Sequence, residues 1–206
     1  VDQEQNERES RKLKRLIRDA ALPDRASLED IEFRPDRGLE KQIVANLSSC
    51  EWIKRRLSVV ILGATGVGKT WLASAFGNQA CRLRLPVMFY RASDLYEAIS
   101  TSSLDGSLAK LKVSLERPSL LIIDDFGLGN LTSPISQVLL DVIDHRVRTG
   151  SLLITSQYPT NQWHDFFPDK TLADAILDRV VHQSHCLTLK GESMRKLNAR
   201  KRLEEA

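Results

Sequence analysis

The sequence predicts an α/β fold with a parallel central sheet flanked by helices, and three observations carry that prediction. Short apolar runs alternate with amphipathic stretches along most of the chain, the pattern of repeated strand–helix units. The run Val59-Val60-Ile61-Leu62 leads into a Gly-rich turn and then a helical stretch. The run Leu120-Leu121-Ile122-Ile123 has no polar alternation, as expected of a strand buried on both faces.

Composition sets the bounds. The chain has 206 residues, enough for one sizeable α/β domain or one domain with a small appendage. Hydrophobic residues are 42% and charged residues 28%, which excludes global disorder. Three widely spaced cysteines, Cys50, Cys81 and Cys186, form no C-x-x-C pair. Neither a zinc site nor a disulfide framework is expected, and a reducing cytoplasm fits best. No apolar run approaches the ~18 residues of a membrane span, and the polar N-terminus is not a signal peptide. The chain begins with Val rather than Met, which points to a fragment lacking natural N-terminal residues.

In order along the chain, residues 2–21 are predicted helical. Leu13, Leu16, Ile17 and Ala20 give one narrow apolar stripe, and Arg8, Arg11, Lys12, Lys14, Arg15 and Arg18 make the remainder basic. Two readings stand: a solvated helix laid on the core, or an arm that tracks phosphates or grips a partner. Pro23 ends it. A second helix is expected over 37–50, with Leu39, Ile43, Val44 and Leu47 inward, then a short one over 51–56.

The turn Gly63-Ala64-Thr65-Gly66-Val67-Gly68-Lys69-Thr70 fits G-x-x-x-x-G-K-[ST], the phosphate-binding P-loop. Glycines there allow positive φ and close approach of a ligand. Loop N–H groups and the following helix N-terminus then converge on an anion. Lys69 reaches terminal phosphates, Thr70 offers a hydroxyl to Mg²⁺, and Trp71 follows at the cofactor side. ATP is the expected ligand. Segments preceding a P-loop often wall the adenine ring, so Phe33 is a candidate; a core aromatic is the equal alternative.

The helix over 70–83 presents Leu72, Phe76 and Ala80 to the sheet, and Pro86 opens a strand over 86–90. A helix opens at 92–99, followed by an expected polar loop over 100–107 and a short helix carrying Lys110 and Lys112. The strand at 120–125 ends in Asp124 and Asp125. Ligands of open α/β sheets sit at such strand ends, so the pair is expected beside the P-loop. Asp124 is placed to hold Mg²⁺ through water, and Asp125 to orient or deprotonate an attacking water. Ser133-Pro134 is a helix start with Ser133 as N-cap, and Gly150 stops that helix. The strand over 151–156 ends in Thr155 and Ser156, which either contact the γ-phosphate or lytic water or satisfy the strand-end turn. An aromatic loop (157–170), a helix (171–181) carrying Arg179, a last strand (184–190) and a basic helix (192–204) complete the chain.

Taken together, the chain resembles AAA+ ATPases of the DnaA/DnaC clade, a P-loop NTPase core with a small or absent separate lid. Within that clade it is most similar to the IstB family of transposase helpers. The segments carrying this are the P-loop, Leu121-Ile122-Ile123-Asp124-Asp125-Phe126-Gly127, Ile154-Thr155-Ser156-Gln157-Tyr158-Pro159, Ala173-Asp174-Ala175-Ile176-Leu177-Asp178-Arg179, and Leu189-Lys190-Gly191-Glu192-Ser193-Met194-Arg195. The resemblance implies residues 1–36 as a basic helix and linker, the remnant of an N-terminal region, and 37–206 as the AAA+ ATPase domain. It implies Thr155 or Ser156 in the sensor-1 region, Arg179 as an arginine finger offered to a neighbouring subunit, and Arg195 as sensor 2. It also implies nucleotide-dependent homo-oligomers on double-stranded DNA, with the segment over about 100–115 facing that DNA through Lys110 and Lys112, and a transposase partner. The alternatives are a DnaC-like helicase loader, a P-loop small-molecule kinase, and a nucleotide-gated DNA-binding scaffold.

Overall fold

The structure is a computed structural model describing residues 2–181, 184–194 and 196. Five strands form one parallel sheet: β1 (Ser58–Leu62), β2 (Val87–Arg91), β3 (Leu120–Asp124), β4 (Ser151–Ser156) and β5 (Ser184–Thr188), in the spatial order β2-β3-β4-β1-β5. The predicted last strand is two residues shorter than expected. Successive residues of a strand face opposite sides, and the packing follows that alternation. Val59, Ile61, Leu120, Ile122 and Leu153 face one layer, Val60, Leu121, Ile123, Leu152 and Ile154 the other.

The first layer holds α1 (Asp2–Ala20), α2 (Lys41–Ser48), α3 (Glu51–Lys54) and α4 (Lys69–Arg82). The second holds α5 (Ala92–Asp105), α6 (Leu108–Glu116), α7 (Ser133–Thr149) and α8 (Lys170–Val181). Helix α1 packs on α4 and β2. Leu13 and Leu16 meet the core, Ala20 is fully buried, and Ile17 of the expected stripe stays exposed. Three of its arginines pair with acids one turn away on the same helix, Arg8 with Glu4, Arg11 with Glu7 and Arg15 with Asp19.

Three expected boundaries shift, each for a local reason. The helix predicted over 37–50 begins only at Lys41. Gly38 adopts a left-handed conformation at φ 65°, and Pro35–Arg37 is a 3₁₀ turn instead. Residues 100–105, read as a polar loop, continue α5. Ser103 Oγ donates to the Ile99 carbonyl at 2.8 Å, so a hydroxyl-rich run is accommodated within the helix until left-handed Gly106 ends it. The N-cap of α7 is Thr132, not Ser133, with the Ser136 N–H donating to the Thr132 carbonyl at 2.9 Å. The basic helix expected over 192–204 lies almost entirely outside the described residues. Among the described residues no helix is long and apolar enough to cross a membrane.

Candidate nucleotide site

Strand β1 delivers the chain to Gly63 at the C-terminal edge of the sheet. Gly63 sits at φ 149°, and a Cβ there would fall 2.5 Å from the Leu189 carbonyl oxygen, so no side chain fits. Gly66 (φ 86°) and Gly68 (φ 99°) take the positive φ that curls the loop, and α4 starts at Lys69. Two later segments hold the loop in place. The Met194 N–H donates to the Gly66 carbonyl at 2.9 Å, and the Thr65 hydroxyl to Gln157 Oε1 at 2.6 Å. Ala64 lends its carbonyl to Lys69, while Val67 is buried in the core.

Lys69 is only 5% exposed. Its Nζ donates to the Ala64 carbonyl at 3.1 Å, and among the described residues it makes no salt bridge. Burial pulls its ammonium below the usual range, against the opposing pull of Asp125 and Asp124. A buried cation with one carbonyl partner is under-compensated, which suits a loop built to receive an anion.

The two carboxylates reach the site across an intervening strand. β4 lies between β1 and β3, and its Thr155 occupies the gap. The Thr155 hydroxyl donates to Asp124 Oδ1 at 2.6 Å and accepts the Asp125 N–H at 2.9 Å. From the other side Thr70 Oγ1 donates to Asp124 Oδ2 at 2.9 Å. Burial raises the Asp124 carboxyl, and the Thr155 and Thr70 hydroxyls pull it back down. Asp125 adopts a positive φ of 56°, uncommon for a residue with a Cβ, and its side chain lines the cavity beside Lys69. The Thr70 hydroxyl and the Asp124 carboxylate, side by side, are the hard oxygen donors that a Mg²⁺ ion takes. Among the described residues no cluster of three His, Cys, Asp or Glu forms a separate metal site.

The cavity over the loop measures about 480 Å³. It is lined by Thr65, Gly66, Gly68, Lys69 and Thr70 of the loop and helix start, and by Asp125. The lining also includes Trp71, Met194, Arg37 and the carboxylates Asp24, Asp30 and Glu32. Arg37 was not apparent from sequence. The residue is 6% exposed, and its guanidinium donates to the Val67 carbonyl at 3.1 Å and the Glu32 carbonyl at 3.2 Å. Burial lowers its pKa, with Arg34 acting in the same direction. Gln157 was likewise missed. It follows β4 directly, one residue past Ser156, and its side chain accepts the Thr65 hydroxyl of the loop.

The remaining candidates lie elsewhere. Ser156 is fully buried, donating to the Phe126 carbonyl at 2.6 Å and accepting the Tyr158 N–H, so it closes the strand-end turn. Phe33 does not line this cavity. It borders a separate hollow with Leu28, Lys41 and Gln79, and the Lys41 ammonium stands 5.6 Å above its ring. The 3₁₀ turn at Pro35–Arg37 turns the chain there, so that Arg37 rather than Phe33 enters the nucleotide cavity. Arg179, on α8, also lines no part of it, and binds Asp144 and the Ala175 carbonyl. Lys110 is exposed on α6, whereas Lys112 is tied to Asp141 at 2.7 Å. Arg195 lies outside the described residues.

Similarity to known proteins bears on the family and the fold. The chain is 38% identical over 201 residues to the insertion sequence ATP-binding protein y4pL of Sinorhizobium fredii (strain NBRC 101917 / NGR234), covering 98% of this chain and 82% of that one. A crystal structure of DnaI superposes with a TM-score of 0.69 at 19% identity, covering 86% of this chain and 94% of that one. A DNA replication initiation factor gives the same TM-score at 17% identity, over 90% of this chain but only 56% of its own. At such identities these two structures speak for the fold alone, a parallel sheet flanked by helices. The family profile described as "IstB-like ATP binding protein" matches residues 1–202, and the chain belongs to that family.

Proposed function

We propose that this chain is the ATP-hydrolysing helper of an insertion-sequence transposase: it assembles on duplex DNA with ATP, recruits the transposase, and disassembles on hydrolysis. The observation that carries the reading is the convergence of Lys69, Thr70, Asp124 and Asp125 on one loop-lined cavity, in a chain whose relative y4pL is named an insertion sequence ATP-binding protein. Within the site Lys69 and the loop N–H groups hold the β- and γ-phosphates. Thr70 and Asp124 hold Mg²⁺, which when bound neutralises charge on those phosphates. Asp125 orients the attacking water and takes its proton at the carboxylate. Gln157, one residue past β4 and bonded to Thr65 of the loop, is assigned to sensing the terminal phosphate. Arg195 is assigned to the nucleotide of its own subunit.

Arg179 is assigned to the neighbour's nucleotide. It lies outside the cavity of its own chain, on α8, and its partners there are Asp144 and the Ala175 carbonyl. Lys110 and Lys112 are assigned to duplex phosphates, where binding tolerates sequence and weakens with salt.

The test is complementation between two defective chains, with phosphate release measured on duplex DNA. Lys69→Ala loses nucleotide binding, and Arg179→Ala binds ATP but turns it over about 10³–10⁵-fold more slowly. Mixed, the two regain activity, because the first lends its arginine to the intact site of the second. No recovery on mixing, or normal turnover by Arg179→Ala alone, overturns the shared-site reading. Binding to single strands in preference to duplex would favour a helicase loader. A phosphorylated small-molecule product would reveal a kinase.

A further inference from the structure

We infer that Asp144 is the positioning residue for Arg179. The inference rests on the reading that Arg179 completes a neighbour's site, and it concerns how that arginine comes to be aimed. Helices α7 and α8 pack side by side. Asp144 lies in the second half of α7, and Arg179 in the last turn of α8. The Arg179 Nε–H donates to Asp144 Oδ1, and Nη1 donates to the Ala175 carbonyl one turn back at 2.6 Å. The two side chains are 34% and 39% exposed, so the pair sits at the surface without being freely solvated.

These two anchors do different things. The Ala175 bond folds the side chain along its own helix, and the Asp144 bond fixes the rotation of the planar guanidinium about its long axis. Among the described residues no hydrogen bond engages Nη2, which leaves that nitrogen's N–H pair as the donor end. An arginine that must donate to a phosphate on another subunit would otherwise lose rotamer freedom on contact. Here that freedom is restricted before any neighbour arrives. Because a guanidinium is a rigid fork, fixing its Nε edge also fixes where the Nη groups point. An exposed ion pair of this kind adds little stability on average, so an effect on turnover through Arg179 is the distinguishing expectation.

The experiment is a double-mutant cycle on the full chain with saturating ATP and duplex DNA. Asp144→Ala and Asp144→Asn are made alone and in an Arg179→Ala background, with kcat, nucleotide affinity and thermal melting measured for each. Asp144→Asn keeps the shape of the side chain and serves where the alanine variant folds poorly. The expected result is a kcat lowered by about 10–100-fold, as for misplacement of a catalytic group. Nucleotide affinity is unchanged, Asp144→Glu recovers part of the rate, and no further loss occurs once Arg179 is absent. The inference is overturned by a wild-type kcat in both Asp144 variants, or by the same fold loss with and without Arg179, which would mark a purely structural ion pair. A rise in kcat overturns it too, since Asp144 would then be withholding the arginine. Normal turnover by Arg179→Ala refutes the shared-site reading itself and takes the Asp144 assignment with it.

Discussion

Thr155 shows how much one hydroxyl does at this site. It links two consecutive carboxylate residues, one through its side chain and one through its backbone, from a strand lying between them and the phosphate loop. Thr155→Val keeps the shape and removes both bonds. A buried carboxylate and a part-buried N–H then lose a partner at about 1–3 kcal/mol each, so a loss of about 2–6 kcal/mol in urea unfolding is expected. The variant also has a pH signature. Burial already raises the Asp124 carboxyl, and Thr155 is one of the donors pulling it down. Without that donor the carboxyl rises further, so in urea unfolding of the metal-free protein the deficit of the variant shrinks as pH falls through the Asp124 titration. A deficit that does not change with pH would mean that Thr155 does not tune Asp124. Sequence placed hydroxyls at this strand end but left Thr155 and Ser156 equivalent, because both are strand-end hydroxyls one position apart. Alternation of side chains separates them: one turns toward the carboxylates, and its neighbour toward the turn at Phe126. Arg37 carries no periodic or motif signal, since its role depends on a left-handed Gly38 turning the chain beside it.

Among the elements, the strands were the most legible, because an apolar run of four or five residues between breakers has few other uses in a chain of this kind. Their spatial order was not, because it depends on which crossover packs against which face. The polar start and end of helices were also ambiguous, as the continuation of α5 through residues 100–105 shows. The joint between α6, β3, α7 and β4 rests on a residue that sequence did not single out. Arg146 is fully buried, and donates to the carbonyls of Leu115, Pro118, Ser119 and Ser151 at 2.6–3.2 Å. Burial pulls its guanidinium down to about 10. The planar fork satisfies several chain ends at once, which an ammonium cannot do. Arg146→Met would leave those carbonyls without their partner, and a loss of more than about 3 kcal/mol in urea unfolding is expected. Arg146→Lys should recover only a small part of it. A loss within about 0.5 kcal/mol, as at an ordinary surface position, would show that water replaces the guanidinium.

For the whole molecule, the P-loop and the paired carboxylates were readable because each is a short motif whose spacing its chemistry dictates. The basic character of α1 was readable too, but the structure divides its charges differently from a simple phosphate-tracking arm. Several of its arginines pair with acids on the same helix, and its apolar side joins the core. Under the proposed function the contribution to DNA binding should therefore differ among basic residues. Lys110→Ala is expected to reduce the slope of log affinity against log salt by about 1. Lys112→Ala should reduce it less, because that ammonium is engaged by Asp141. Fluorescence anisotropy on duplex DNA over a salt series separates the two, and equal slopes for both variants and wild type would remove α6 from the interface. The contact between Met194 and Gly66 has a different standing from all of these. It joins backbone to backbone, so the substitutions that threaten it are proline at 194, which lacks the N–H, and any side chain at Gly66, whose Cβ would fall 2.4 Å from Ser193 Oγ. The carboxylates, lysines and arginines of this protein are open to substitution one at a time. The tie between its C-terminal segment and its phosphate loop is carried by the main chain, and it depends on the backbone conformations open to two positions rather than on the chemistry of any side chain.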